Sequence, residues 1–137
     1  MRHRIRVAAL LLNELNEILL VQHVHPVTNF EWWVPPGGGM ESIDESIFSC
    51  AMRETFEESG IFNIDFPFGR EHIQVSTMII FIGETSQDPK ISPNPVTGVF
   101  EHEDANWITF DEMEEGCMTF LLPAIKWARR KLEEQEN

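Results

Sequence analysis

The chain has 137 residues, of which 42% are apolar and 24% charged. That is the size and composition of one globular domain, and it argues against disorder. Ten Lys and Arg against 23 Asp and Glu leave a formal charge of −13, which argues against general nucleic-acid binding unless metal ions intervene. Cys50 and Cys117 are too few for a disulfide framework, and they read as reduced thiols. No apolar run reaches the roughly 20 residues of a membrane span. Val7–Leu12, after the basic start, is too short for a signal-peptide core. The expectation is a single cytoplasmic domain over residues 1–137 with no membrane association.

Ile5–Leu12 is continuously apolar and predicts a buried strand. NELN at 13–16 predicts a turn, and Ile18–Val24 a second strand completing a hairpin. His25–Glu31 reads as a loop and Trp32–Val34 as a short aromatic strand. Pro35-Pro36-Gly37-Gly38-Gly39 then fits neither a helix nor a regular ladder. Ser42 and Glu45 have the spacing of a capping box. The helix that follows is expected to run to Ser59, with Gly60 as its stop. Ile61–Phe68, Ile73–Glu84 and Ala105–Phe110 read as strands, and Ser86–Pro95, with three prolines, as a loop. Pro123, followed by Ile125, Ala128 and Leu132 at helical spacing, predicts a C-terminal helix. A mixed sheet between helices, an α/β (α+β) sandwich, fits this order.

Glu54, Glu57 and Glu58 lie at i, i+3 and i+4 and project from one helical face. Like charges at that spacing repel, so they either form a solvated face or await a cation. Ile47 and Ala51 precede them on the same side, and Phe48, Met52 and Phe56 form a second apolar stripe. The carboxylates therefore stand at the end of a largely buried helix. The preceding glycines allow backbone to approach a ligand closely. Carboxylates plus a backbone carbonyl form a hard-oxygen site suited to Mg²⁺ or Mn²⁺. Arg53, four residues before Glu57, can pair with a carboxylate and direct it.

Gly39, five residues, Glu45, seven residues, then Arg53-Glu54-Thr55-Phe56-Glu57-Glu58-Ser59-Gly60-Ile61 resembles the complete box of the Nudix hydrolase family. Thr55, at an apolar position of the pattern, is its one departure. The resemblance implies an α/β/α sandwich and a hydrolase that cleaves the pyrophosphate of a nucleoside diphosphate linked to another moiety, using Mg²⁺, with Mn²⁺ as an alternative. Carried onto these residues, Glu57 and Glu58 are metal ligands, and Glu54 is a further ligand or the base. Glu45 and Arg53 orient the constellation, and a glycine carbonyl faces the metal. The segment from Glu41 to Glu45 is one residue longer than in many members, so Gly38 and Gly39 both remain open for that carbonyl. Some relatives place the base in a later loop, where Glu101 and Glu103 stand here, with His102 between them. The family also includes frequent homodimers, and Trp32, Phe66, Phe68 or the C-terminal helix could supply such an interface. A catalytically silent nucleotide sensor is the alternative, although such proteins usually lose box carboxylates.

Substrate recognition is less marked. Arg2, Arg4 and Arg6 alternate at strand period, so Arg4 and Arg6 are candidates for phosphate contact, with an exposed strand edge as the plainer reading. Phe30 and Trp32 could stack on a base, while Trp33 is expected in the core and His23 and His25 as ordinary polar residues. The chain has no tyrosine, and Thr77 stands where some ADP-ribose pyrophosphatases carry a proline. ADP-ribose, nucleotide sugars and nucleoside triphosphates remain as small-molecule substrates.

Overall fold

The computed structural model describes residues 5–25, 27–91, 102–116 and 119–136, apart from the side chains of His102, Glu103 and Glu136. The elements run β1 (Arg6–Leu12), β2 (Ile18–Val24), β3 (Glu31–Val34), β4 (Gly37–Gly39), α1 (Ile47–Ser59), β5 (His72–Val75), β6 (Met78–Glu84), β7 (His102–Ile108), α2 (Phe110–Gly116), a 3-10 turn (Thr119–Leu121) and α3 (Leu122–Glu136). All seven strands join one mixed sheet.

From Val7 to Leu12 β1 is apolar because it is covered on both faces, the reason its sequence does not alternate. Ala8, Leu10 and Leu12 meet Phe110 and Met113 of α2 and Ile125 and Ala128 of α3 on one side. Val7 packs with Cys50 and Ala51 of α1 on the other, where Ala9 and Leu11 meet Ile61. The result is a sandwich with α1 on one face and α2 and α3 on the other. One edge of β1 pairs in parallel with β6 along its whole length, Arg6↔Met78 through Leu12↔Glu84. Its other edge divides. Leu12 pairs Ile18 of β2, while Arg6, Val7 and Ala8 pair β4. β2 swings away to pair β3 and β7. The sheet therefore opens between β4 and β2, and the strand bordering that opening, β4, is all glycine.

The structure corrects several sequence expectations. The glycine run does form a ladder strand, because it has no side chains to hold it off β1. A Cβ on Gly37 would lie 2.5 Å from the Val7 carbonyl oxygen. The N-cap of α1 is Ser46, whose side chain accepts from Ser49 N–H at 3.1 Å, not Ser42. A reciprocal capping box forms instead at Thr109 and Glu112, where Glu112 N–H donates to Thr109 Oγ1 at 3.1 Å and Thr109 N–H to Glu112 Oε1 at 3.2 Å. It starts α2, which the sequence reading had left out. The expected strand Ile73–Glu84 is a hairpin, folded at Ser76 (φ 54°) and Thr77. Ile61–Phe68 makes only a single bridge, Asp65 to Glu84. Met52 and Phe56 are exposed, the latter against Phe62, while Phe48 alone of that stripe packs on Phe66 and Phe81. Trp33 is also exposed rather than in the core.

The hairpin β1–β2, the αL stop at Gly60 (φ 75°) and α3 with Ile125, Ala128 and Leu132 inside agree with expectation. Phe66 and Phe68, offered as interface residues, pack against the two cores. No helix among the described residues is long and apolar enough to cross a membrane. Because Ile125 is fully buried against β1, Ile125→Ala should cost about 2–5 kcal/mol. Urea denaturation reads this as a lower midpoint with an unchanged slope.

Candidate active site

The middle of α1 is tied to its lead-in loop and to the sheet by Arg53. Arg53 donates from Nε to Asp44 Oδ1 at 2.8 Å and from Nη2 to Asp44 Oδ2 at 2.9 Å. Nη1 lies 3.0 Å from Glu54 Oε1 and 3.1 Å from Glu57 Oε2. Nη2 also donates to the Gly39 carbonyl at 3.2 Å. One guanidinium thus links the loop before the helix, the helix and β4. The planar fork can do this because its donors diverge in one plane.

Asp44, and not Glu45, is the partner of Arg53. Glu45 is exposed and makes no hydrogen bond or ion pair with a described residue. The Asp44 carboxylate is almost fully covered and also accepts from Glu41 N–H at 2.8 Å. The guanidinium and that N–H hold its carboxyl well below the usual range. The motif carries no signal for Asp44, which stands at one of its unspecified positions between Gly39 and Glu45.

The three helix carboxylates differ in setting. Glu58 is buried, and its Oε2 accepts from Gly37 N–H at 2.9 Å. Its Oε1 lies 4.0 Å from His23 Nε2. Glu54 is half-buried, and burial raises its proton affinity, opposed by Arg53 and reinforced by the charges of Glu58 and Glu57. Glu57 is half exposed. Gly38 lies flat against Glu54, where an added Cβ would overlap the carboxyl group. Pro36 and Met40 bond to β1 through Ala9 N–H and the Ile5 carbonyl. Ladder alternation therefore turns the backbone groups of Gly37 and Gly39 away from β1, toward α1, and those of Gly38 toward Val7. The Gly39 carbonyl, expected at a metal, is thus engaged by Arg53. Cys50, buried beneath it with Sγ 3.7 Å from that carbonyl, is pushed up to about 11 by burial and the nearby Asp44 charge. It is a packing thiol.

His23 was expected to be an ordinary polar residue. The β2–β3 register instead places it opposite Trp32, with the rings 5.4 Å apart and 15° from parallel. Phe30, more exposed, lies against Trp32 at 5.9 Å. His25 fits the ordinary polar reading, with Nδ1 accepting from Val27 and Thr28 N–H. Arg6 begins β1 on its α3 side. Arg4 and Glu101 lie outside the described residues. Glu103 sits in β7, its side chain outside the description.

The donor chemistry (three carboxylates and outward-facing glycine backbone) suits a hard divalent cation. Among the described residues no three His, Cys, Asp or Glu side chains are gathered closely enough to enclose a metal ion. That arrangement is compatible with Mg²⁺, which keeps several waters and needs only one or two carboxylates plus substrate phosphate.

A family model described as NUDIX domain matches residues 2–134. No match was found among curated proteins. Among solved structures, the Ap4A hydrolase of C. elegans is similar at TM-score 0.73 and 18% identity, covering 94% of this chain and 98% of that one. The MutT protein of Methanosarcina mazei Go1 is similar at TM-score 0.68 and 24% identity, covering 93% and 94%. The NUDIX domain of Shewanella oneidensis NrtR, solved with ADP ribose, is similar at TM-score 0.65 and 20% identity, covering 95% and 90%.

The Arg53 pairing gives a contrast between neighbours. Asp44→Asn should lower Tm, while Glu45→Gln should leave stability within about 0.5 kcal/mol of wild type. Because Asp44 titrates lower in the folded chain than in the unfolded one, its contribution is complete above the unfolded carboxyl pKa of about 3.9. It fades as pH falls from there through the folded value. Thermal melts between pH 7 and pH 2 should show a constant gap between wild type and Asp44→Asn above about pH 5 that narrows in acid.

Proposed function

The chain belongs to the NUDIX domain family, and we propose that it is a divalent-metal-dependent hydrolase of the pyrophosphate bond in nucleoside diphosphates linked to another moiety, or in nucleoside triphosphates. The observation that carries this reading is the grouping of Glu54, Glu57 and Glu58 on α1 around the glycine strand, organised by Arg53. Mg²⁺ bound there would neutralise pyrophosphate oxygens and make a water easier to deprotonate. The structural similarity to an Ap4A hydrolase and to a NUDIX domain solved with ADP ribose supports substrates of this class.

In this reading Glu58 is the fixed ligand, because its second oxygen is held by Gly37 N–H. Glu57, half exposed, completes the set. Gly37 supplies the backbone carbonyl, since the other outward-facing carbonyl, that of Gly39, is taken by Arg53. Glu54 accepts the proton of the attacking water. Its burial raises its affinity for that proton, and Arg53 keeps it ionised beforehand. Asp44 holds Arg53, and Glu45 has no part in the constellation. Glu101 and Glu103 stay alternative bases from outside the helix. An overall acidic chain can bind an acidic substrate this way because the cation, not a basic groove, bridges them.

A panel of ADP-ribose, nucleotide sugars, nucleoside triphosphates and dinucleoside polyphosphates tests the proposal. With Mg²⁺ one class should be hydrolysed, and chelator should abolish the reaction. Glu57→Gln should reduce turnover about 100-fold or more, the scale of losing one transition-state charge stabiliser. Gly38→Ala should have a similar effect on turnover with little loss of Tm, because the added methyl displaces the mobile end of Glu54 rather than backbone. Nucleotide binding without product, unchanged in Glu57→Gln, would instead identify a sensor.

A further inference from the structure

We propose that the hollow between α2, α3 and β5 is a binding site for a compact phosphate anion, separate from the α1 carboxylates and independent of any metal they hold. The inference does not rest on the hydrolase reading. Four of the chain's ten Lys and Arg stand within Lys126–Lys131, on a helix whose inner face is apolar. Three of them, Lys126, Arg129 and Arg130, line a hollow of about 730 Å³ whose walls also include Ile73, Leu122 and Pro123. The fourth, Lys131, is not in that lining. It is paired with Glu71 and lies over the Phe68 ring. The sheet stands between this hollow and α1.

The three lining cations differ in what balances them. Arg129 is held by α2: Nη2 donates to Asp111 Oδ1 at 2.8 Å, and Nη1 lies 3.1 Å from Glu114 Oε1. That pairing engages Glu114, one of the two acids of the hollow. Lys126 and Arg130 are exposed and pair with no described carboxylate. They stand one turn apart on α3, where like charges repel. Glu133 is the remaining acid of the lining. Three cations against two carboxylates leave the hollow positive in a chain of net charge −13. An anion seated between Lys126 and Arg130 offsets their repulsion. The apolar walls strengthen the field that it meets, because they keep water from one side of it.

Other hollows lack this charge. The apolar pocket beside the glycine strand, walled by Arg6, His23, Trp32, Gly37 and Phe120 among others, has a single Arg. The one lined by Trp32 and Trp33 holds Glu112 and no Lys or Arg. Two by the β1–β2 turn hold Glu14 and no Lys or Arg. The size of the ligand follows from the spacing. Lys126 and Arg130 span about one helical turn, roughly 5.4 Å of helix, and the exposed Glu133 and Glu134 follow on the next turn. A compact anion such as pyrophosphate fits that interval. An extended polyanion would run onto the carboxylates.

The test titrates inorganic pyrophosphate into the full chain with no divalent metal present, read by calorimetry and by backbone amide shifts. One equivalent should bind. It should move the amides of Lys126, Arg129 and Arg130 and leave those of Glu54, Glu57 and Glu58 in place. Lys126→Gln and Arg130→Gln should each weaken binding roughly five- to tenfold, the scale of one charge-assisted hydrogen bond. Glu133→Gln should tighten it. Lys90→Gln and Glu14→Gln change the net charge by the same one unit away from the hollow and should do neither. All five side chains are exposed, so the variants should fold, with Tm as the check. Absence of pyrophosphate binding overturns the proposal, as does equal weakening by Lys126→Gln and Lys90→Gln, which would mark net charge alone. Shifts confined to α1 overturn it too. So does a single-stranded oligonucleotide that binds more tightly than pyrophosphate, the sign of an extended polyanion surface. Because binding is read without metal and without turnover, the hydrolase reading and this one fail separately.

Discussion

The site depends on a single guanidinium. Three glutamates one turn apart on a partly buried helix are mutually repulsive, and burial makes the repulsion stronger. Arg53 offsets it by facing Glu54 and Glu57 at about 3 Å while Asp44 grips its other edge. An ammonium could not do the same, because it is a point charge without a fixed fork. The same group reaches the Gly39 carbonyl, so the helix, its lead-in loop and the glycine strand are held in one register. Removing Arg53 leaves the covered carboxylates of Asp44 and Glu54 without compensation in a partly dehydrated place, which is the costly direction of error.

The second constraint is topological. β1 has one edge for two partners, β2 at Leu12 and β4 at Arg6–Ala8, so the sheet must part between them. The carboxylates belong to α1 on one face and the apolar pocket to the α3 face. The two sides meet at the parting, where Gly37 N–H donates to Glu58 and His23 Nε2 lies 4.0 Å from its other oxygen. The helix motif and the α3-side pocket therefore lie in different layers of the fold. The residues that shape the pocket come from β1, β2, β3, the β5–β6 turn and the 3-10 turn, none of them in the motif.

What could be read in the sequence follows the range of the forces involved. The buried run of β1, the hairpin to β2, the Gly60 stop and the inward stripe of α3 are set by local periodicity and backbone chemistry, and they stand as expected. The misses are non-local. The glycine strand was misread because what makes it a strand is the approach of β1, which only the absence of side chains permits. Met52 and Phe56 were placed inside by their spacing, but the helix buries a narrower stripe, centred on Cys50, Ala51 and Thr55. Glu45 was assigned by its place in the motif, but the hold on Arg53 is made by its neighbour Asp44, at a position the motif leaves unspecified. His23 takes its place from a cross-strand neighbour that no short-range pattern encodes.

The differing exposure of Glu57 and Glu58 shows how such a site can hold together and still accept a cation. Glu58 is buried with one oxygen satisfied by a backbone N–H. Moving it would strand both a carboxylate and the Gly37 amide, so it is a fixed point of the scaffold. Glu57 has half its side chain in water and a single ion pair to Arg53. An exposed pair of that kind is worth little, because solvent screens it and side-chain entropy opposes it. Arg53 therefore serves as a counter-charge to the carboxylates and can release Glu57 at small cost, while its bidentate hold on Asp44 keeps the guanidinium in position. A site with one immovable carboxylate and one cheaply redirected carboxylate suits an ion that retains most of its water and takes its remaining oxygens from a phosphate.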